Sequence, residues 1–164
     1  MLLSETAQKL AREGVQTMAV VATNPERARL FFRYRPPRIP IGADPDLVTH
    51  RAYGLPRAGG TPGLWETVQA KAAALLGELG QPGVPASEAY EQLGRLDGFE
   101  AAESDNAESQ RHQAQLIGQF LIDGKGIVRW ANVECARDGL TGLDEIPSDE
   151  ELLATARALR SSTN

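Results

Sequence analysis

Covalent redox chemistry in this sequence must use Cys135 or another chain. Cys135, in ANVECARDG, is the only thiol, so an intramolecular disulfide is impossible and a cysteine-rich metal cluster has no ligands to draw on. As a chemical group Cys135 is the catalytic candidate of the chain. It would be a resolving or intermolecular thiol, able to form a mixed disulfide with a cysteine outside this sequence or with its twin in a dimer. As a packing group it is a small, unreactive side chain, since free cysteine is among the most buried residue types. Arg137 beside it favours the thiolate and Glu134 opposes it. Because Cys135 follows a strand pattern and does not open a helix, it lacks the dipole and amides that favour a thiolate at a helix N-terminus.

His50 and His112 are the two imidazoles. Neither has a second ligand at metal spacing on its own element, so no metal is expected. His50 reads as a helix-surface residue and His112, next to Arg111, as a solvated histidine at a loop end. Arg27, Arg29, Arg33, Arg35 and Arg38 form a local basic patch. Such a patch can receive an acidic partner or an anionic substrate, but the ordinary reading is a solvated helix face. The glycines of DGKG mark a hairpin turn and lack the strand-to-helix context of a phosphate loop, so no cofactor is expected.

Composition sets the frame for these groups. The chain has 164 residues, 41% of them apolar and 24% charged, as in an ordinary globular protein of one domain. A net charge of −5 and a pI of about 5.1 argue against a nucleic-acid partner, which needs a broad basic face. No apolar run approaches the roughly 20 residues that span a bilayer, and MLLSETAQKLAREG contains no secretory apolar core. The expectation is a cytoplasmic protein with no membrane partner.

The elements that must position the candidates follow from the patterning. LLSETAQKLARE sets Leu3, Ala7, Leu10 and Ala11 on one stripe, predicting a helix over 3–13 that stops at Gly14. VQTMAVVA is a β-branched run predicting a strand over 15–22, buried on both faces. Thr23 or Asn24 caps a helix over 25–34, with Pro25 in its first turn. IPIGADPD gives a short extended piece and a helix start, and DLVTHRAYGL a helix ended by Gly54.

From Pro56 to Gln110 the character shifts to a helical insertion. It holds LWETVQAKAAALLGEL, ASEAYEQLGRL and then an acidic polar run, EAAESDNAESQ. Trp65, Leu64, Val68, Leu75, Leu76 and Leu79 recur at helical spacing there and read as core or lid packing; an exposed stripe would instead mark a dimer face. AQLIGQFLID and GIVRWANVE, joined at DGKG, predict a hairpin. Trp130 in its second strand either packs on the last helix or sits at the edge. Ser148 and Glu151 form a capping box for a final helix through ELLATARAL.

Three ordered segments, VQTMAVVATNPERARLFF, IPIGADPDLVTHRAYGL and GQFLIDGKGIVRWANVE, resemble the thiol-specific antioxidant and alkyl hydroperoxide reductase family, the peroxiredoxin-like proteins. Together they cover roughly half the chain. The resemblance implies an α/β, thioredoxin-like sheet flanked by helices, 1–164 as one such domain with 56–110 inserted, and a family role in thiol-dependent reduction of peroxides or disulfides. It also implies a thiol reductant or a second copy of the chain as partner, with homodimer formation.

In that family the reactive cysteine opens the helix matching LLSETAQKLARE, so the strand, loop and cysteine motif that come before it are missing here. Ile117, Gly118 and Gln119 stand where the family places a cis-proline or an arginine. The resemblance therefore implies a chain inactive as a peroxidase by itself, the alternative being a non-catalytic binding or assembly module that keeps the fold. The missing strand lies, in the family, between those matching 15–22 and 115–122. Direct pairing of these two, a strand from a second chain, or a protein that begins upstream of Met1 would each restore the ladder, and the last is the expectation.

Overall fold

The computed structural model describes residues 2–34, 36–56, 61–96, 98, 102–112 and 115–161. Arg35 of the basic patch, Glu100 and Ala101 of the acidic run and Ala114 of the predicted hairpin lie outside them. The chain is mixed α/β and divides into two compact units, one of Met1–Leu55, Ile117–Glu134 and Asp144–Asn164, the other of Pro56–Leu116 and Cys135–Leu143. The segment from Pro56 to Gln110 lies within the second unit, which runs on to Leu116 and takes in the turn after Glu134.

The first unit holds α1 (Leu2–Arg12), β1 (Ala19–Val21), α2 (Pro25–Tyr34), β2 (Ile41–Ala43) and α3 (Val48–Ala52). It is completed by β3 (Gly118–Ile122), β4 (Val128–Val133) and α7 (Asp149–Ser161). Gly14 and Gly54, at φ 76 and 71, end α1 and α3 in the left-handed conformation that glycine adopts without a steric penalty. The amides that follow them, Val15 and Leu55, turn back to the carbonyls of Leu10 and His50 at 3.0 Å. Of the two cap candidates for α2 it is Asn24 whose Oδ1 accepts the Arg27 amide, at 2.9 Å. Ser148 Oγ accepts the Glu151 amide at 3.2 Å and opens α7.

β1 and β2 pair in parallel, Ala19 opposite Ile41 and Val21 opposite Ala43. β3 and β4 pair antiparallel, Gly118 opposite Val133, and these are two separate two-stranded sheets. Direct pairing of the segments 15–22 and 115–122 is therefore not what the described residues adopt. The first strand is also shorter than its apolar run, covering Ala19–Val21, and all three residues are half-buried. In a two-stranded sheet β1 is paired along one edge only, so it is not flanked by strands on both sides as a central strand would be.

The core of this unit gathers Leu10 of α1, Leu121 of β3 and Leu152 and Ala156 of α7, with Val15, Trp130, Leu153 and Leu159 packed against them. Trp130 thus packs beside the terminal helix. Polar contacts hold the same pair of helices together. Lys9 and Thr6 both reach Asp149, and Glu13 accepts Arg157 at 2.6 and 3.0 Å and Arg160 at 2.6 Å.

The second unit holds α4 (Leu64–Glu78), α5 (Ala86–Arg95), α6 (Glu103–His112) and a 3-10 turn at Gly139–Gly142. Leu76, fully buried, packs with Ala72 and Ala89 between α4 and α5. Leu64, Leu116 and Leu143 form a second cluster, lined by Val68, Leu140 and Cys135. The Trp65 stripe is split: Leu64 and Leu76 are buried, whereas Trp65, Leu75 and Leu79 are exposed. The acidic run, expected as a polar stretch, forms most of α6. Its acidic first turn and basic last turn, Glu103 and Asp105 against Arg111 and His112, complement the helix dipole without any apolar stripe.

Candidate functional site

Cys135 sits in the turn that follows β4, at φ 59, a left-handed backbone that few residues other than glycine adopt without cost. It is half-buried and packs against the cluster of Leu64, Leu116 and Leu143. No helix begins at Cys135; the next ordered element is the 3-10 turn from Gly139. The thiol thus packs on an apolar wall in a turn, and not at the N-terminus of a helix.

The charge expected to oppose a thiolate is committed elsewhere. Glu134 is 6% exposed, and its two carboxylate oxygens accept the Ile117 amide at 2.8 Å and the Asp144 amide at 2.7 Å. Its backbone amide donates to Ile117 O at 2.9 Å. Glu134 thus fastens the entry of β3 to the segment before α7. Asp144, whose amide donates one of these bonds, is itself at φ 63.

His50 is not a surface residue. Its side chain is 13% exposed, and Nδ1 lies 3.3 Å from Oδ2 of Asp44, whose side chain is 8% exposed. Asp44 follows β2, and its oxygens accept the amides of Val48 and Thr49, each at 2.8 Å. It caps α3 from before Leu47, a residue held at φ 55 with its side chain buried. Burial pushes the Asp44 carboxyl upward, but the amides of Val48 and Thr49 and the His50 ring outweigh it and keep it below the usual carboxylate range. With Asp44 ionised, Nδ1–H of His50 donates to it. The sequence signal for this pair is an aspartate before a helix start with a histidine in the first turn, which helical periodicity does not test.

Gly118, in the position where the resemblance looks for a proline or an arginine, is closely packed. A Cβ there would lie 2.5 Å from Leu55 Cδ2 and 2.8 Å from the Phe120 ring. Phe120 in turn meets Tyr53 with ring centroids 4.8 Å apart. Apolar packing, not charge, occupies this place.

His112 ends α6, and its Nε2 is buried without a hydrogen-bond partner among the described residues. The expected solvated histidine is thus shielded at that atom. His50 belongs to the first unit, His112 and Cys135 to the second. Among the described residues no group of three or more His, Cys, Asp or Glu side chains is placed to hold a metal, and no helix is long and apolar enough to cross a membrane. The Arg27, Arg29, Arg33 and Arg38 patch lies on and just after α2, with Arg29 and Arg33 exposed.

Compared with protein-family models, curated proteins and solved structures, the chain matches none of them.

Proposed function

We propose that the chain is a thioredoxin-like domain related to the peroxiredoxins, whose family role is thiol-dependent reduction of peroxides or disulfides, and that by itself it is not a peroxidase. The observation that carries this reading is the order of elements in the first unit. A parallel pair, β1 and β2, is joined through α2 and followed by the antiparallel β3–β4 hairpin and then α7. The three resembling segments fall on β1 and α2, on β2 and α3, and on β3 and β4. A crossover unit followed by a hairpin and a helix is the arrangement the resemblance implies.

Peroxide reduction needs a thiolate that attacks one peroxide oxygen and breaks the O–O bond, becoming a sulfenic acid while the leaving hydroxide takes a proton from solvent to form water. In this reading Cys135, which packs on Leu64, Leu116 and Leu143 and does not open a helix, does not take that step. Its remaining redox role is as a resolving or intermolecular thiol. Intact mass before and after stoichiometric hydrogen peroxide, with peroxide loss followed in excess thiol, tests the reading. The expected result is no rapid oxygen addition and no turnover; fast addition at Cys135 with turnover overturns it.

The second reading, a binding module that keeps the fold, is favoured by the exposed aromatic pair Trp65 and Tyr90 on α4 and α5. Large apolar side chains exposed together mark interaction surfaces.

A further inference from the structure

The second unit carries the net charge of the chain. Its residue ranges hold five Lys/Arg against ten Asp/Glu, while those of the first hold twelve of each. On this acidic unit Trp65 and Tyr90 are 53% and 58% exposed, with ring centroids 5.5 Å apart and planes at 55°. Small residues surround Tyr90 on its own helix, Ala86 and Ser87 one turn before it and Gly94 one turn after. A Cβ at Gly94 would meet nothing within 4 Å. Glu66, next to Trp65 in sequence, is exposed, and Glu91, next to Tyr90, pairs with Arg95 one turn on. Exposed aromatic faces on an acidic unit suit a cation, and guanidinium most of all, because it is planar and stacks on rings.

The same sequence supplies such a cation. Arg29 and Arg33 on α2 are exposed, the side chain of Arg29 at 78% in a solvent-exposed pair with Glu26 at 4.0 Å, the kind of pair that contributes little. Residues four apart share a helix face and rise about 6 Å along its axis, a spacing close to the 5.5 Å between the two rings. We propose that the Trp65–Tyr90 face of one copy docks the Arg29–Arg33 edge of α2 in a second copy, so that the chain self-associates through complementary charge. The two halves of the contact are different surfaces, so each pairing leaves one unused half on either copy and a ring or a string can grow from it. The proposal does not depend on the redox reading.

Sedimentation of the full chain over a wide concentration range tests it. The expected result is a weight-average mass that rises with concentration in low salt. Between about 0.1 and 1 M salt, as the screening length falls from about 10 to about 3 Å, the association should weaken at least about tenfold. Two double variants, Trp65→Ser with Tyr90→Ser and Arg29→Glu with Arg33→Glu, should each be monomeric alone, and circular dichroism should show each folded. Mixed, they should form a one-to-one complex, because each retains the half the other has lost. A wild-type chain monomeric throughout in low salt, which would assign the aromatic face to another occupant, overturns the proposal. So does self-association that both variants retain, or a mixture that yields no complex.

Discussion

Nδ1 of His50 lies 3.3 Å from Oδ2 of Asp44, and the same carboxylate closes the start of α3 by accepting the amides of Val48 and Thr49 at 2.8 Å. One buried acid thus serves a ring and three backbone amides, the third that of His50 at 3.4 Å. Asp44→Ala leaves all four without their acceptor and is expected to cost about 1–2 kcal/mol, within the range for a lost helix cap and orphaned donors. Asp44→Asn, which keeps one acceptor oxygen, should cost less. Denaturant unfolding followed by circular dichroism checks the order, and an alanine variant as stable as the parent would remove the cap from the account.

The same residue sets a pH dependence. Burial raises the Asp44 carboxyl, and the Val48 amide, the His50 ring and the Thr49 amide more than offset it, so the folded value is depressed. A depressed carboxyl contributes its stability in full above the unfolded value of about 3.9 and loses it as pH falls through the folded value. Asp123 is held low chiefly by the Ile127 amide, and Glu13 by Arg157. Asp149 is held low by Lys9, so all four act in the same direction. The urea midpoint should therefore be flat at mildly acidic pH and fall below about pH 4, and Asp44→Asn should make that fall shallower. An acid limb of unchanged slope in the variant would exclude Asp44 as a contributor.

What could be read from the sequence divides along a physical line. Signals carried by one residue and its immediate neighbours appear in the structure: Gly14 and Gly54 end their helices, Asn24 and Ser148 open theirs, and Asp123 shapes the hairpin turn by accepting the Lys125 and Ile127 amides. Features that depend on what lies across the fold were not legible. The apolar run 15–22 looks like a central strand, yet only Ala19–Val21 pairs, because pairing depends on a neighbour that periodicity cannot see. Asp44 and His50 meet across Leu47, whose left-handed backbone is not a leucine preference. Glu134 reads as a charge beside a thiol, but a backbone amide seventeen residues earlier and another ten residues later claim its carboxylate. α6 has no apolar face to announce it.

Thr17 offers a test in the opposite direction. Its Oγ1 is buried with no hydrogen-bond partner among the described residues, in the segment leading into β1. An unsatisfied buried hydroxyl costs about 1–3 kcal/mol, and valine keeps the shape without the polar atom. Thr17→Val should therefore raise stability by about 1 kcal/mol, read as a higher thermal midpoint. A variant less stable than the parent would mean that the hydroxyl is bonded in solution.

The two units have separate apolar clusters and one tryptophan each, Trp130 packed on the cluster of Leu10, Leu121, Leu152 and Ala156, and Trp65 near Tyr90 on the other. Leu76 is fully buried between α4 and α5, against Ala72 and Ala89, so Leu76→Ala opens a cavity in the second unit and is expected to cost about 2–5 kcal/mol there. Leu152→Ala removes a similar volume from the first unit. With Trp65→Phe and Trp130→Phe backgrounds isolating each signal, Leu76→Ala should lower the Trp65 unfolding midpoint more than the Trp130 midpoint, and Leu152→Ala should do the reverse. If each variant shifted both signals equally, the two clusters would unfold as one cooperative core. In that case the division of the chain at Pro56 and Leu116 would describe its contacts and not its energetics.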